Sequence, residues 1–521
     1  MEASWLVSSF AWLAISVIII SNIIHYRRPK QNLPPGPKPW PIIGNLNLLV
    51  GSIPFRSLHL LSQKYGELMQ LKFGSYPVLI VSSPEMAKQF LKTHDAVFAS
   101  RPLLAAGKYT SYNYSNVAWA PYGPYWRQAR KIYLTEIFSA KRLDSYEYIR
   151  TEESHNFLSR LYALSQVRVN GCGKPIVLRE HLSRFSLSSI TRIVLSNKYF
   201  SESKCDDQGS VITLDELQSL LHQWFVLNGT VMNIGDWIPW LSFLDLQGCV
   251  KQMKDLHKKM DRFNEYVLDD HKAKRDANGK DFVPKDMVDV LLQLSEDPNL
   301  DVKLTRDNVK ALMQDLLTGG TDTSPTAVEW AFHEIMKNPH IIEKATEELD
   351  RVIGRERWVE ENDFSKLPYI EAIMKETLRL HPLASLLAPR FAIEDCNVSG
   401  YDVSKGTIVL VNAWSIGRNP KYWDAPEQFL PERFLDKKIE ILGQNFALLP
   451  FGSGRRSCPG YNLGLKIVRL TLANLLHGFN WKLPQNMKPE DVCLEEIFGL
   501  TTCPKVPLEM IIEPRLPQHL Y

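Results

Sequence analysis

Apolar residues recur with helical spacing along most of the chain and with strand spacing along little of it. A period of three to four residues predicts helices over 84–92, 124–138, 143–163, 211–227, 251–273, 304–337, 340–352, 365–380 and 461–478. Two runs with strand character, 67–73 and 76–81, predict a hairpin around Gly74-Ser75. Residues 381–411 read as short extended pieces with turns at Ser399-Gly400 and Lys405-Gly406. The charged stretch 270–287 reads as a surface loop. The expectation is a mainly α fold with small β-sheets.

Two N-terminal segments depart from this pattern. Residues 5–24 carry no charge and, as a helix, match the thickness of a bilayer. His25, Tyr26, Arg27, Arg28 and Lys30 follow at once. A basic C-terminal flank predicts a single-pass signal anchor over 1–30, with the body on the cytosolic side. A cleaved signal peptide is the alternative. Glu2 near the start and the lack of a small-x-small site before the basic run weigh against it. Next comes Leu33-Pro34-Pro35-Gly36-Pro37-Lys38-Pro39-Trp40-Pro41. Proline fixes φ, so 31–45 reads as a semi-rigid hinge. The remainder, 46–521, shows no low-complexity linker or internal repeat and reads as one large domain.

A net charge of +3 over 521 residues argues against a nucleic-acid partner. The seven cysteines (172, 205, 249, 396, 458, 493 and 503) are scattered, form no C-x-x-C pair and suggest a reducing compartment. In a cytosolic body the sequons at Asn113, Asn228 and Asn397 would carry no sugar.

The candidate chemistry lies in Phe451-Gly452-Ser453-Gly454-Arg455-Arg456-Ser457-Cys458-Pro459-Gly460. A glycine-rich turn with a buried thiol would explain a lone cysteine. The whole string makes sense if Cys458 is the axial thiolate ligand of a haem iron. Gly454 and Gly460 would let the backbone lie against a macrocycle. The following helix start would stabilise the thiolate. Arg456 would pair with a propionate, and Phe451 would keep water from the sulfur. A second string, Leu317-Thr318-Gly319-Gly320-Thr321-Asp322-Thr323-Ser324-Pro325, interrupts the helix 304–337. Each glycine costs about 0.8–1 kcal/mol relative to alanine in a helix. Pro325 cannot bond the carbonyl of Thr321, so a kink or opening is expected, with room for dioxygen. Asp322 and Thr323 supply an acid and a hydroxyl for proton delivery. Read alone, the same residues equally describe a loop followed by an N-cap.

The string around Cys458 resembles the haem-binding loop of the cytochrome P-450 monooxygenases. Gly319-Gly320-Thr321-Asp322-Thr323-Ser324 resembles their oxygen-side helix, with Gly319 where alanine is more usual. Glu376-Thr377-Leu378-Arg379, Pro431-Glu432-Arg433-Phe434, the Trp126/Arg130 spacing and the Pro34-Pro35-Gly36-Pro37 run match further family motifs in family order. The resemblance implies the cytochrome P-450 fold, with haem b (iron protoporphyrin IX) between a long oxygen-side helix and the cysteine loop. It implies Cys458 on the iron, Trp126, Arg130, Arg390 and Arg456 at the propionates, and Glu376, Arg379 and Arg433 as a structural ionic triad. It also implies O2 as co-substrate, an NADPH-cytochrome P-450 reductase as electron donor, and the endoplasmic reticulum membrane as location. Arg127, Lys131, Lys141, Arg142, Lys466 and Arg469 form either a docking face for that reductase or an ordinary solvated surface.

The details look most like plant A-type microsomal members of the flavonoid-3′-hydroxylase-like or terpenoid-oxidising branches. The implied substrate is a hydrophobic specialised metabolite, a flavonoid/phenylpropanoid or a terpenoid. By the same resemblance the chamber is lined from 102–122 (Tyr109, Tyr112, Tyr114), 222–245 (Trp224, Phe225, Trp237, Trp240), the helix face near Gly319, and 384–388. Oxidative C–C cleavage, ring closure or dehydration at the same haem is one alternative. A non-catalytic haem sensor is another.

Overall fold

The computed structural model describes residues 31–169, 172–196, 199–201, 212–229, 233–279, 282–436, 439–442 and 445–521. The expected anchor at 1–30 lies outside the described residues. Among the described residues no helix is long and apolar enough to cross a membrane.

Helices dominate, with small sheets at the periphery. The hairpin forms as expected: Leu68–Phe73 pairs with Tyr76–Val81 in antiparallel register, Leu68 opposite Val81 and Phe73 opposite Tyr76. Gly74 at its tip has φ +54°, and a Cβ there would stand 2.1 Å from the carbonyl oxygen of Trp237. Glycine is therefore needed both for the turn and for the close approach of the 237 segment. Ile408–Val411 joins the hairpin in parallel, and Arg390–Phe391 pairs antiparallel beyond it. That last strand carries Arg390 from the sheet toward the cysteine loop.

The proline-rich segment lies against this sheet. Gln70 N donates to Pro35 O at 2.9 Å, and Asn45 N donates to Lys72 O at 2.6 Å. A Cβ on Gly36 would meet Gln70 O at 1.9 Å, which explains the glycine between the prolines.

Two sequence expectations change. The charged stretch 270–287 is not a loop throughout: the helix Cys249–Asn278 runs through its first half and ends at Gly279, with φ +55°. Its last turns are polar because they face solvent, where Lys274 pairs with Asp270 at 2.6 Å. The helix Leu178–Leu195 carries no clear apolar stripe, because it is buried on nearly every side. Two of its hydroxyls bond back along the helix, Ser189 Oγ to Phe185 O at 2.9 Å and Thr191 Oγ1 to Leu187 O at 2.7 Å. It packs against the oxygen-side helix, so it forms one wall of the core that holds the site.

Candidate active site

Residues 451–460 fold into a tight loop before the helix Tyr461–Gly478. Cys458 N donates to Phe451 O at 2.9 Å, closing the loop on the phenylalanine that precedes it. Phe451 packs at the edge of the main core, its ring centroid 6.4 Å from that of Tyr461. Gly454 has φ +72°, and a Cβ there would stand 2.1 Å from Leu91 O and 2.8 Å from the Asp95 carboxylate. This corrects the sequence reading of Gly454: protein, not a macrocycle, fills the space a side chain would take. A Cβ on Gly460 would meet only the Phe138 ring, at ordinary contact distance.

Burial pushes the Cys458 thiol up, while the Gly460 N–H and the Arg130 guanidinium favour the thiolate. The cysteine lies deep in the protein yet keeps accessible surface.

Four guanidiniums gather beside it. Arg456 is held by the carbonyls of Ala99 at 2.6 Å, Val117 at 3.1 Å and Ala120 at 2.5 Å, and lies 4.2 Å above the Trp126 ring. Trp126 Nε1 donates to Val117 O at 3.1 Å, and Arg130 donates to Ser457 Oγ at 3.0 Å. Arg390 pairs with Asp95 at 2.9 Å and donates to Ser453 O at 2.6 Å. Arg101 donates to the carbonyls of Ala118, Ala388 and Pro389. Burial, then repulsion from Arg101, Arg390 and Arg130, pulls Arg456 down to about 7. Burial and Arg390 pull Arg101 down to about 9. Asp95 is the carboxylate that faces this cluster, and it is shared with Arg455. Buried guanidiniums in such excess call for further negative charge, and a dianionic cofactor edge fits that demand. Sequence reasoning missed Arg101. An arginine before Pro102 carries no periodic signal, and only tertiary packing brings it here.

The oxygen-side helix breaks as expected, but at Asp322 and not at the proline. Arg306–Thr321, capped by Thr305, and Thr323–Lys337 meet there. Four hydroxyls bond back to carbonyls four residues earlier: Thr318 to Gln314 at 2.8 Å, Thr321 to Leu317, Thr323 to Gly319 at 2.9 Å, and Thr326 to Asp322 at 2.8 Å. Such bonds bend helices. The two glycines differ in kind. A Cβ on Gly320 would meet Ile190 Cδ1 at 2.4 Å, whereas one on Gly319 would meet nothing within 4 Å. Gly320 lets the helix Leu178–Leu195 approach, and Ser186 Oγ donates to its carbonyl at 2.8 Å. Gly319 leaves an opening. Burial raises Asp322, and a hydrogen bond from Thr501 opposes the rise. A Cβ on Gly464, one turn past the cysteine loop, would lie 4.0 Å from both Ser324 Oγ and the Phe451 ring. The broken helix and the cysteine loop therefore meet.

Glu376 and Arg379 are fully buried and paired at 2.7 Å, and Arg433 reaches Glu376 at 3.0 Å. Arg379 also donates to the carbonyls of Gly417, Pro426 and Gln428, tying the helix Pro368–Leu380 to the segment before the cysteine loop.

The expected chamber aromatics are largely spoken for. Tyr112 OH donates to Asp261 at 2.9 Å and Tyr114 OH to Leu104 O at 3.0 Å. Trp224, Phe225 and Trp237 are buried in core clusters, and Trp240 is 60% exposed. Within the expected 222–245 segment, His222 and Val226 share a helix face with Gly229. A Cβ on Gly229 would meet Leu500 N at 2.1 Å, so this face looks onto the turn whose Thr501 binds Asp322. Of the basic surface residues, Lys466 is held by Glu361 and Arg469 by Glu371.

Comparison with known proteins points to one family. The family profile for cytochrome P-450 matches residues 34–508. The chain is 46% identical to maize trimethyltridecatetraene synthase, over 98% of this chain and 95% of the relative. It is 42% identical to flavonoid 3′-monooxygenase of Petunia hybrida, over 96% of both chains. A zebra fish cytochrome P-450 structure with progesterone superposes with a TM-score of 0.73 at 26% identity, covering 89% of this chain and 100% of that one. The chain belongs to the cytochrome P-450 family: it is a monooxygenase with the P-450 fold and haem b as cofactor, using O2, a small-molecule substrate and a redox partner.

Proposed function

We propose that this protein inserts one atom of O2 into a hydrophobic plant specialised metabolite, a flavonoid/phenylpropanoid or a terpenoid, with electrons from an NADPH-cytochrome P-450 reductase. The observation that carries the reading is the convergence of the cysteine loop, the cluster of buried arginines and a broken helix whose Gly319 faces open space. The substrate classes rest on relatives named for a flavonoid 3′-monooxygenase and for trimethyltridecatetraene synthesis.

Cys458 would hold the haem iron, and Trp126, Arg130, Arg390, Arg456 and Arg101 would face the propionates. When bound, thiolate-ligated haem supplies O2 binding and O–O cleavage. The protein's own part is to place protons and exclude water. Thr323 donates its hydrogen to Gly319 O, so its oxygen remains free to accept a hydrogen bond from a water in the opening. Asp322, raised by burial and held by Thr501, is an acid one residue away. Phe451 and Phe138 shield the loop that carries the sulfur. The Glu376–Arg379–Arg433 triad fixes the proximal side structurally.

In this reading 1–30 anchors the chain in the endoplasmic reticulum membrane, 31–45 is the hinge, and 46–521 is the cytosolic catalytic domain. Exposed apolar residues support it. Trp40 and Ile42 on the hinge, and Trp240, Phe243, Leu244 and Leu246 on the far segment, flank the same hairpin tip at Gly74. Amphipathic surfaces of this kind suit a membrane interface.

The test is turnover of the full chain with reductase, NADPH and isotopically labelled O2 against flavonoid and terpenoid panels. The expected product carries a single labelled oxygen. Substrate consumed without label in the product would refute oxygen insertion.

A further inference from the structure

Asp315 lies one turn before Gly319 on the oxygen-side helix, deep in the protein. Its carboxylate receives three hydrogen bonds from one segment: Asn116 Nδ2 at 2.7 Å, Val117 N at 2.8 Å and Ala118 N at 3.2 Å. The same segment turns its carbonyls the other way. Val117 O accepts from Trp126 Nε1 and from Arg456, each at 3.1 Å; Ala118 O accepts from Arg101 at 3.0 Å; Ala120 O accepts from Arg456 at 2.5 Å.

Residues 116–120 are thus a strap whose N–H side rests on a carboxylate and whose C=O side rests on cations. Both sets of bonds are charge-assisted, and each polarises the peptide groups in the sense the other needs. Asn116 also bonds within the strap, its Oδ1 accepting from Trp119 N at 3.0 Å. The approach to the strap is strained: Tyr112, Asn113 and Tyr114 all have positive φ, at 48°, 53° and 62°. Tyr112 is held by Asp261 and Asn264 and Ser115 O by the Tyr125 hydroxyl, and at the strap itself Asp315 is the carboxylate that binds the backbone N–H groups.

We propose that Asp315 is a positioning residue. By clamping the strap 116–120 to the oxygen-side helix it sets how Arg101, Arg456 and Trp126 are presented to the cofactor edge. The proposal rests on the assignment of those donors to the propionates made above.

The test uses the full-length, haem-loaded chain and three variants: Asp315→Asn, Asn116→Asp, and the two combined. Haem transfer to apomyoglobin and hydrogen exchange at the Val117 and Ala118 amides are measured together. Each single change should speed haem transfer about tenfold, the effect of one lost hydrogen bond to a buried charge, and should raise exchange at both amides. The combined variant should recover most of both, because the amide now at 315 can donate to the carboxylate at 116 while its oxygen still accepts from Val117 N. A merely structural defect would not be repaired by adding a second change.

Should a single variant fail to fold, Asn116→Ala, which removes one of the three bonds, is expected to move both readouts in the same direction by less. Single variants with wild-type exchange overturn the clamp. Faster exchange with unchanged haem transfer overturns its link to the cofactor edge. A wild-type chain that retains no haem would instead overturn the functional reading beneath it.

Discussion

Cys458 is one of five free thiols among the described residues, and its surroundings set it apart. Its amide is tied to Phe451, its sulfur faces the Gly460 N–H, and Arg130 stands close enough to favour a negative charge. Serine at this position keeps the loop geometry but cannot supply a soft, electron-rich ligand. Cys458→Ser is therefore expected to lose the reduced carbon-monoxide Soret band typical of thiolate ligation; an unchanged band would remove Cys458 from the iron. Thr323→Ala should retain haem and continue to consume NADPH, with product formed per NADPH falling about tenfold or more. Equal coupling would remove the hydroxyl from proton delivery. Both residues were legible because each sits inside a string of unusual neighbours. Arg101 and Asp315 were not, since each is an ordinary residue type whose meaning comes from partners far away in the chain.

Elements were legible where one face is wet. The amphipathic helix His340–Val352 was anticipated closely, as were the hairpin strands. The helix Leu178–Leu195 carries no periodic signal because burial on nearly every side removes the contrast on which periodicity depends. The polar end of Cys249–Asn278 reads as a loop in sequence because its stabilising ion pairs carry no apolar signature. The oxygen-side helix shows two adjacent glycines with opposite duties. Gly320→Ala would drive a methyl into Ile190 and should destabilise the protein by about 1–3 kcal/mol. Gly319→Ala meets open space and should leave stability unchanged or raise it by up to about 1 kcal/mol. Thermal unfolding of the two haem-loaded variants checks the order, and a reversed order would exchange the roles assigned to the pair.

At the scale of the molecule, the proximal side hangs on Glu376. Its carboxylate accepts from Arg379, from Arg433 and from Leu430 N at 2.7 Å, all away from solvent. Glu376→Gln would leave two guanidiniums without their counter-charge and should cost about 3–5 kcal/mol, a large share of a typical folding free energy of about 5–15 kcal/mol. The expected outcome is loss of haem incorporation and of soluble protein; near-normal haem content would mean the triad is dispensable. The fold class, the hairpin, the thiol and the broken helix were determined by the sequence alone, because each is written in contiguous residues whose local physics is decisive. The tertiary structure decided the rest: which guanidiniums converge, that Gly454 serves the protein's own packing, that the helix opens at Asp322, and that one carboxylate clamps a strap reaching the arginine cluster. The reason is that burial and charge balance belong to the assembled chain. A guanidinium is costly or useful only once its neighbours, distant in sequence, have taken it out of water.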